Sequence, residues 1–172
     1  MARTYRSQAI AVALAANPVV SSRRRCLLLK AAGVDSAAPS IIHRGVTVQG
    51  LGRLRLGSGV FVNHGCYFDT VADLTVGSRV FFADHVRVLT SGHEVGGAEQ
   101  RASTLTSKPV VIGDGAWIGS GVVIMPGVTV GVSDPSNSSG SSSSAVRQAF
   151  PRISRNRFAI ANRVATTSAS SV

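Results

Sequence analysis

"VVIGDGAWIGSGVVIMPGVTVG", residues 110 to 131, places an aliphatic side chain at Ile112, Ile118, Ile124 and Val130, every sixth position, with glycine directly after three of the four. A period of six matches neither the 3.6 of a helix nor plain two-residue alternation. It matches a parallel β-helix, in which each hexapeptide is one short strand plus one corner and three of them make a triangular coil. The head residue of each hexapeptide points inward and stacks on its equivalent in the next coil. The following position sits at a corner, where Gly57, Gly77, Gly113, Gly119 and Gly131 relieve backbone crowding or allow unusual dihedrals.

The same period runs upstream. Ile42, Val48 and Leu54 are six apart; after a two-residue slip come Leu56, Val62 and Phe68; after another come Val76, Phe82 and Val88. The pattern breaks over "LTSGHEVGGAEQRASTLTSKP" and resumes at Ile112. Aromatics are only 5% of the chain and glycine supplies 18 residues, so the core is expected to be built from small aliphatic groups packed close to backbone.

The formal charge of +10 raises the question of a nucleic-acid partner. Across residues 46 to 131, however, Arg53, Arg55, Arg79, Arg87, Arg101 and Lys108 are balanced by Asp69, Asp73, Asp84, Glu94, Glu99 and Asp114. The excess lies in the flanks, as in "SRRRC" and "PRISRNR", and a neutral centre argues against nucleic-acid binding. Cys26 and Cys66 form neither a disulfide framework nor a metal knuckle and read as buried thiols in a reducing, cytoplasmic compartment. "AIAVALAANPVV" is too short to span a bilayer, so no membrane partner is expected. With Arg3 and Arg6 ahead of it, the segment resembles a short signal or transit sequence, although an ordinary N-terminal helix is the preferred reading.

"SSRRRCLLLKAAG" over 21 to 33 predicts a helix capped by Ser21 or Ser22 and stopped by Gly33. The chain thus divides into a helical flank over 1–40, able to cover one open end of the prism, a β-helix over 41–131 with a loop at 89–109, and a tail over 132–172. The tail opens with "VSDPSNSSGSSSS" and shows no sixfold pattern; residues 132 to 145 are expected to be disordered, and the last stretch disordered or a weakly docked helix.

Three stretches, "VFVNHGCYFDT", "TVGSRVFFADHVRVLTSGHE" and "KPVVIGDGAWIGSGVVIMPGVTVG", resemble the hexapeptide-repeat O-acetyltransferases of the maltose, galactoside and exopolysaccharide type. The resemblance covers roughly residues 41 to 131. It implies a left-handed β-helix, a homotrimer, acetyl-CoA as donor, a saccharide or related hydroxyl acceptor, and active sites between subunits. Where members of the family continue past "PGVTVG" with further coils, this sequence turns abruptly to serine, which reads as a frameshift, an altered splice junction or a truncation, and leaves the coenzyme end of the site in question.

His93, in the "SGH" segment of the one long insertion, aligns with the family's catalytic histidine. Removing a proton from an attacking hydroxyl needs a base that titrates near neutrality. Asn63 matches the asparagine that contacts the acceptor hydroxyl, a role suited to an amide that both donates and accepts; a corner asparagine of a repeat would look the same. Asp69 is a further candidate for the sugar face. Trp117 falls where the family has a tryptophan beside the coenzyme channel, and its place in the hexapeptide points it outward. Gly119, Ser120 and Gly121 would offer backbone groups to the pantetheine arm, and Lys108 could meet a coenzyme phosphate.

His43, His64 and His85 raise a metal alternative, since a zinc carbonic anhydrase shares this fold. Their 21-residue spacing exceeds the coil length, so His64 should fall over Asp84 and His43 near Asn63, and no metal is expected. Cys66 as an acyl carrier gives way to a structural thiol and direct transfer. Two other functions stay open: an N-acetyl or antibiotic acetyltransferase of the same fold, and a non-catalytic repeat scaffold or truncated remnant.

Overall fold

The computed structural model describes residues 4–37, 40–131 and the backbone of residues 145 and 146. Two helices come first, α1 (Tyr5–Ala16) and α2 (Ser22–Ala31), followed by a solenoid of short strands. One parallel sheet stacks β1 (Val34–Ser36), β4 (Leu54–Leu56), β7 (Leu74–Val76), β12 (Val110–Ile112) and β15 (Thr129–Val130). A second stacks β2 (Ile41–Ile42), β5 (Phe61–Val62), β8 (Phe81–Phe82), β13 (Trp117–Ile118) and β16 (Ala145–Val146). The third holds β3 (Thr47–Gln49), β6 (Tyr67–Asp69), β9 (Arg87–Val88) and β14 (Val123–Ile124). The insertion read as a loop is an antiparallel hairpin, β10 (Ser91–Val95) with β11 (Ala102–Ser107).

Each hexapeptide head from Ile42 to Val130 is buried, as the period requires. The residue two places earlier is buried as well in most coils (Val46, Val60, Val80, Val86, Val110, Ala116 and Val122 among them), because alternate residues of a strand share a face. Leu54 and Leu56 therefore belong to one strand, and the slips have a location: the corner from the third sheet to the first, "QGLGR" over 49–53 and its successors, is longer than the other two. Register follows, with Leu54 beside Leu74 and Val62 beside Phe82, offsets of 20 residues, but Ile112 beside Val130, an offset of 18. The hairpin is inserted at this same corner.

The corner glycines split the two roles expected of them. At Gly57 a Cβ would lie 2.6 Å from the backbone carbon of Gly77, so this position is glycine because successive coils touch there. Left-handed backbone belongs mainly to a different position, as at Gly65 (φ 68°) and, one coil on, His85 (φ 55°); of the five corner glycines only Gly131 shares it.

The helices cover the first strands of all three sheets. Buried Gln8 of α1 donates to the carbonyls of Ala32 (3.0 Å) and Gly50 (2.6 Å) and accepts from Gly50 N–H (3.1 Å). Arg25 of α2, 4% exposed, donates to the carbonyls of Ala15, Asn17, Val20 and Ile42. One of the flank's basic residues is thus a buried clamp rather than a solvated charge. α2 starts at Ser22 after Ser21, and Gly33 takes φ 95° just beyond its end, as the sequence predicts. The solenoid begins earlier than residue 41, however, since β1 pairs with β4.

Of the Ser-rich tail, only Ala145 and Val146 are described. They pair with Trp117 and Ile118 at the edge of the second sheet; the expectations for the rest of 132–172 lie outside the described residues. No helix among the described residues is long and apolar enough to cross a membrane.

Candidate active site

The sheet registers bring Gln49 beside Asp69 and Tyr67 beside Arg87 on the outer face of the third sheet. With the hairpin root and Tyr5 of α1, these residues line a cavity of about 320 Å³ that includes His93. The His93 ring is exposed, and its Nδ1 lies 2.8 Å from the Ser103 carbonyl across the hairpin. A carbonyl only accepts, so Nδ1 carries the proton and Nε2 is left as the basic nitrogen. The ring is oriented by this backbone oxygen, which no side-chain pattern in the sequence announces.

Asp69 borders the cavity, yet its carboxylate is committed. It is 5% exposed; Oδ1 accepts from Val71 N–H (3.1 Å), and Oδ2 accepts from Thr90 N–H (3.1 Å), Ser91 N–H (2.8 Å) and Ser91 Oγ–H (2.5 Å). It moors the start of the hairpin two residues before His93. Tyr67 donates its hydroxyl to Gln49 Oε1 at 3.1 Å. Burial, and then the Asp69 carboxylate, raise its phenol above the ordinary value against the opposing pull of Arg87.

Asn63 lies at another corner, between the second and third sheets, and does not line this cavity. Its Oδ1 accepts from His64 N–H at 2.8 Å and meets His64 Nδ1 at 2.6 Å. The rings of His43 and His64 are 4.5 Å apart, so two of the three spaced histidines do meet, diagonally across coils. Burial foremost, then His64, Arg25 and Arg44, lower the His43 pKa. Trp117 points outward from the second sheet, half exposed, beside Phe81, whose ring stacks on Phe61 at 4.5 Å. Gly119, Ser120 and Gly121 follow at Asn63's corner, where Gly121 N–H already donates to the Asp84 carbonyl. Lys108 stands at the hairpin root on His93's side, its backbone N–H on the Thr90 carbonyl and its side chain against Gly127. Cys66 is buried, with its thiol pushed up to about 11, which suits packing and not acyl transfer; Cys26 is only half-buried.

Over 76 residues the chain is 36% identical to nodulation protein L of Rhizobium leguminosarum bv. viciae, covering 44% of this chain and 40% of that one. It is 36% identical over 81 residues to the galactoside O-acetyltransferase of Escherichia coli K12, covering 44% and 40%, and 30% identical over 78 residues to that of Lactococcus lactis, covering 45% and 38%. Over this stretch the chain is similar to the hexapeptide-repeat O-acetyltransferases. It spans between 38% and 62% of the length of the curated relatives it matches. No family model matches the chain.

Set against that family, the candidate residues form two groups on one chain. His93, Asp69 and Lys108 lie at the long corner; Asn63, Trp117, Gly119, Ser120 and Gly121 lie at or beside the next one round the prism. The sequence missed the walls of the His93 cavity. Tyr67 and Arg87 could have been found, since each precedes a buried head residue, Phe68 and Val88, and so must point outward on the same sheet.

Proposed function

We propose that the protein is an acetyl-CoA-dependent O-acetyltransferase acting on a saccharide or a related hydroxyl compound, with His93 as general base. The tautomer forced on His93 by the Ser103 carbonyl carries this reading, because it leaves a basic nitrogen beside a cavity of small-molecule size. The acceptor hydroxyl gives its proton to Nε2 as its oxygen attacks the thioester carbon. The tetrahedral oxyanion then collapses, the C–S bond breaks, and the imidazolium returns the proton to the departing CoA thiolate. The ring needs no covalent intermediate, and Ser103 keeps it in place through both transfers.

The division of the candidates between two corners supports a site completed by a second copy of the chain, as in a homotrimer, with Asn63 of one copy facing His93 of the next. Asn63 would then present its Nδ2 donors to the acceptor oxygen, while Trp117 and the Gly119–Gly121 turn would line the pantetheine arm. Asp69 serves the reaction by mooring the hairpin. Free Cys26 and Cys66 fit a reducing, cytoplasmic setting.

The test is release of free CoA from acetyl-CoA in the presence of mono- and oligosaccharides, by wild type and His93→Ala. Acceptor-dependent release should fall about 10²- to 10⁴-fold in the variant. Equal release by both proteins would remove His93 from the mechanism, and no release from folded wild type with any hydroxyl acceptor would refute the assignment.

A further inference from the structure

Arg87 is the cationic group in the His93 cavity, and among the described residues no carboxylate pairs with its charge. It projects from β9 beside Tyr67, with its guanidinium carbon 5.8 Å from the ring centroid, a weak cation–π rest that leaves the planar fork open. Among the described residues the one side-chain ion pair is Arg55 with Asp73, on a different sheet. Asp69, the carboxylate that shares the cavity with Arg87, is spent on its four bonds to Val71, Thr90 and Ser91. The neighbouring polar pair is also closed on itself, since Tyr67 donates to Gln49. A guanidinium presents parallel N–H donors that match the two oxygens of a carboxylate, sulfate or phosphate, whereas a neutral sugar is more cheaply held by amides and hydroxyls.

From this we infer that the acceptor is an anionic hydroxyl compound, such as a uronic acid or a sulfated or phosphorylated sugar, whose oxyanion is gripped by Arg87 while one of its hydroxyls faces His93. The inference rests on the acetyltransferase reading for the identity of the acceptor, but not for the binding of the anion. Arg87 and His93 border the same cavity of about 320 Å³, so anion and reacting hydroxyl belong to one small molecule or one residue of a polymer. Arg87 is then the residue that sets specificity, by repaying the desolvation of a charge that a neutral analogue lacks.

The experiment compares galactose, galacturonate, galactose 6-sulfate and galactose 6-phosphate in two readouts: direct binding by calorimetry, and CoA release with acetyl-CoA, each for wild type, Arg87→Gln and Arg87→Lys. At least one anionic sugar should be bound at least tenfold more tightly than galactose, and which one identifies the oxyanion. Arg87→Gln should weaken that sugar 10- to 100-fold more than galactose, on acceptor KM and not on the KM for acetyl-CoA, with Arg87→Lys between. Arg87 is exposed, and an unchanged circular dichroism spectrum verifies folding. Anion binding that depends on Arg87 without any CoA release would uphold the anion site and sink the acetyltransferase reading. CoA release with galactose preferred would do the reverse. A rise confined to the acetyl-CoA KM would assign Arg87 to a donor phosphate, and absence of anion binding would overturn the inference outright.

Discussion

Replacing Asp69 by alanine should unfasten the hairpin that carries His93 before it unfolds the prism. Three of the four donors on this carboxylate belong to Thr90 and Ser91, where the chain leaves the third sheet. Thr90 is fully buried, so its amide would be stranded without water, at a cost of about 1–3 kcal/mol. Val71 is 41% exposed and Ser91 half-buried, so solvent recovers most of what their three charge-assisted bonds lose, leaving about 2 kcal/mol net. The total is roughly 3–5 kcal/mol. Asparagine can turn its oxygen toward Thr90 and Ser91 and sets an amide donor only against Val71 N–H, so Asp69→Asn should lose about 1–2 kcal/mol. Urea unfolding measures the totals, and amide hydrogen exchange over residues 91 to 107 locates them. In the alanine variant those amides should lose protection ahead of the coil strands, and acetyl transfer should fall more than tenfold because His93 and Ser103 no longer hold their register. Equal stabilities for Ala and Asn, or a destabilised alanine variant whose hairpin exchanges no faster than its coils, would refute the reasoning.

Other consequences are as direct. Arg25→Met strands four carbonyls at the joint between helices and solenoid and should lower stability by roughly 3–5 kcal/mol, readable as a urea midpoint. Gly57→Ala drives a methyl into the backbone of Gly77 and should cost about 1–3 kcal/mol, whereas Gly97→Ala, with open space around it in the hairpin turn, should cost almost nothing; the same denaturation series compares them. Because the folded state lowers the His43 pKa beneath its ordinary 6.5, the neutral ring is favoured on folding. That contribution is fully present above pH 6.5 and is lost as pH falls through the folded value, so the unfolding midpoint should drop more steeply between pH 7 and 5 in wild type than in His43→Gln. Finally, Phe81→Asp places a charge in the outer stripe of Ile41, Phe61, Phe81 and Trp117, and should shift the proposed homotrimer toward monomer in sedimentation.

The solenoid was legible because its cause is local. Ile112, Ile118, Ile124 and Val130 declare a period of six on their own, and every coil repeats the same burial decision. Gly57 could be placed at a corner from that period, but the stacking of Gly57 on Gly77 requires the 20-residue coil length to be known in space. His93 and Asn63 were nominated by likeness to known enzymes; their separation onto two corners was not legible, since it depends on counting round a triangular turn. Asp69 was expected to face a sugar because an acidic side chain near a catalytic histidine looks the same in sequence whether it faces a ligand or backbone N–H groups. The helix clamps of Gln8 and Arg25 escaped notice for a similar reason, as both residues end on carbonyls 5 to 42 positions away.

By itself, then, the sequence determined the repeat, the inward residues and the site of the insertion, because periodic burial is written one position at a time. Tertiary structure alone decided which nitrogen of His93 is basic, what Asp69 holds, and that Tyr67 and Arg87 share its cavity. Those outcomes rest on backbone carbonyls and on coil-to-coil register, and both take their place only when distant segments are stacked.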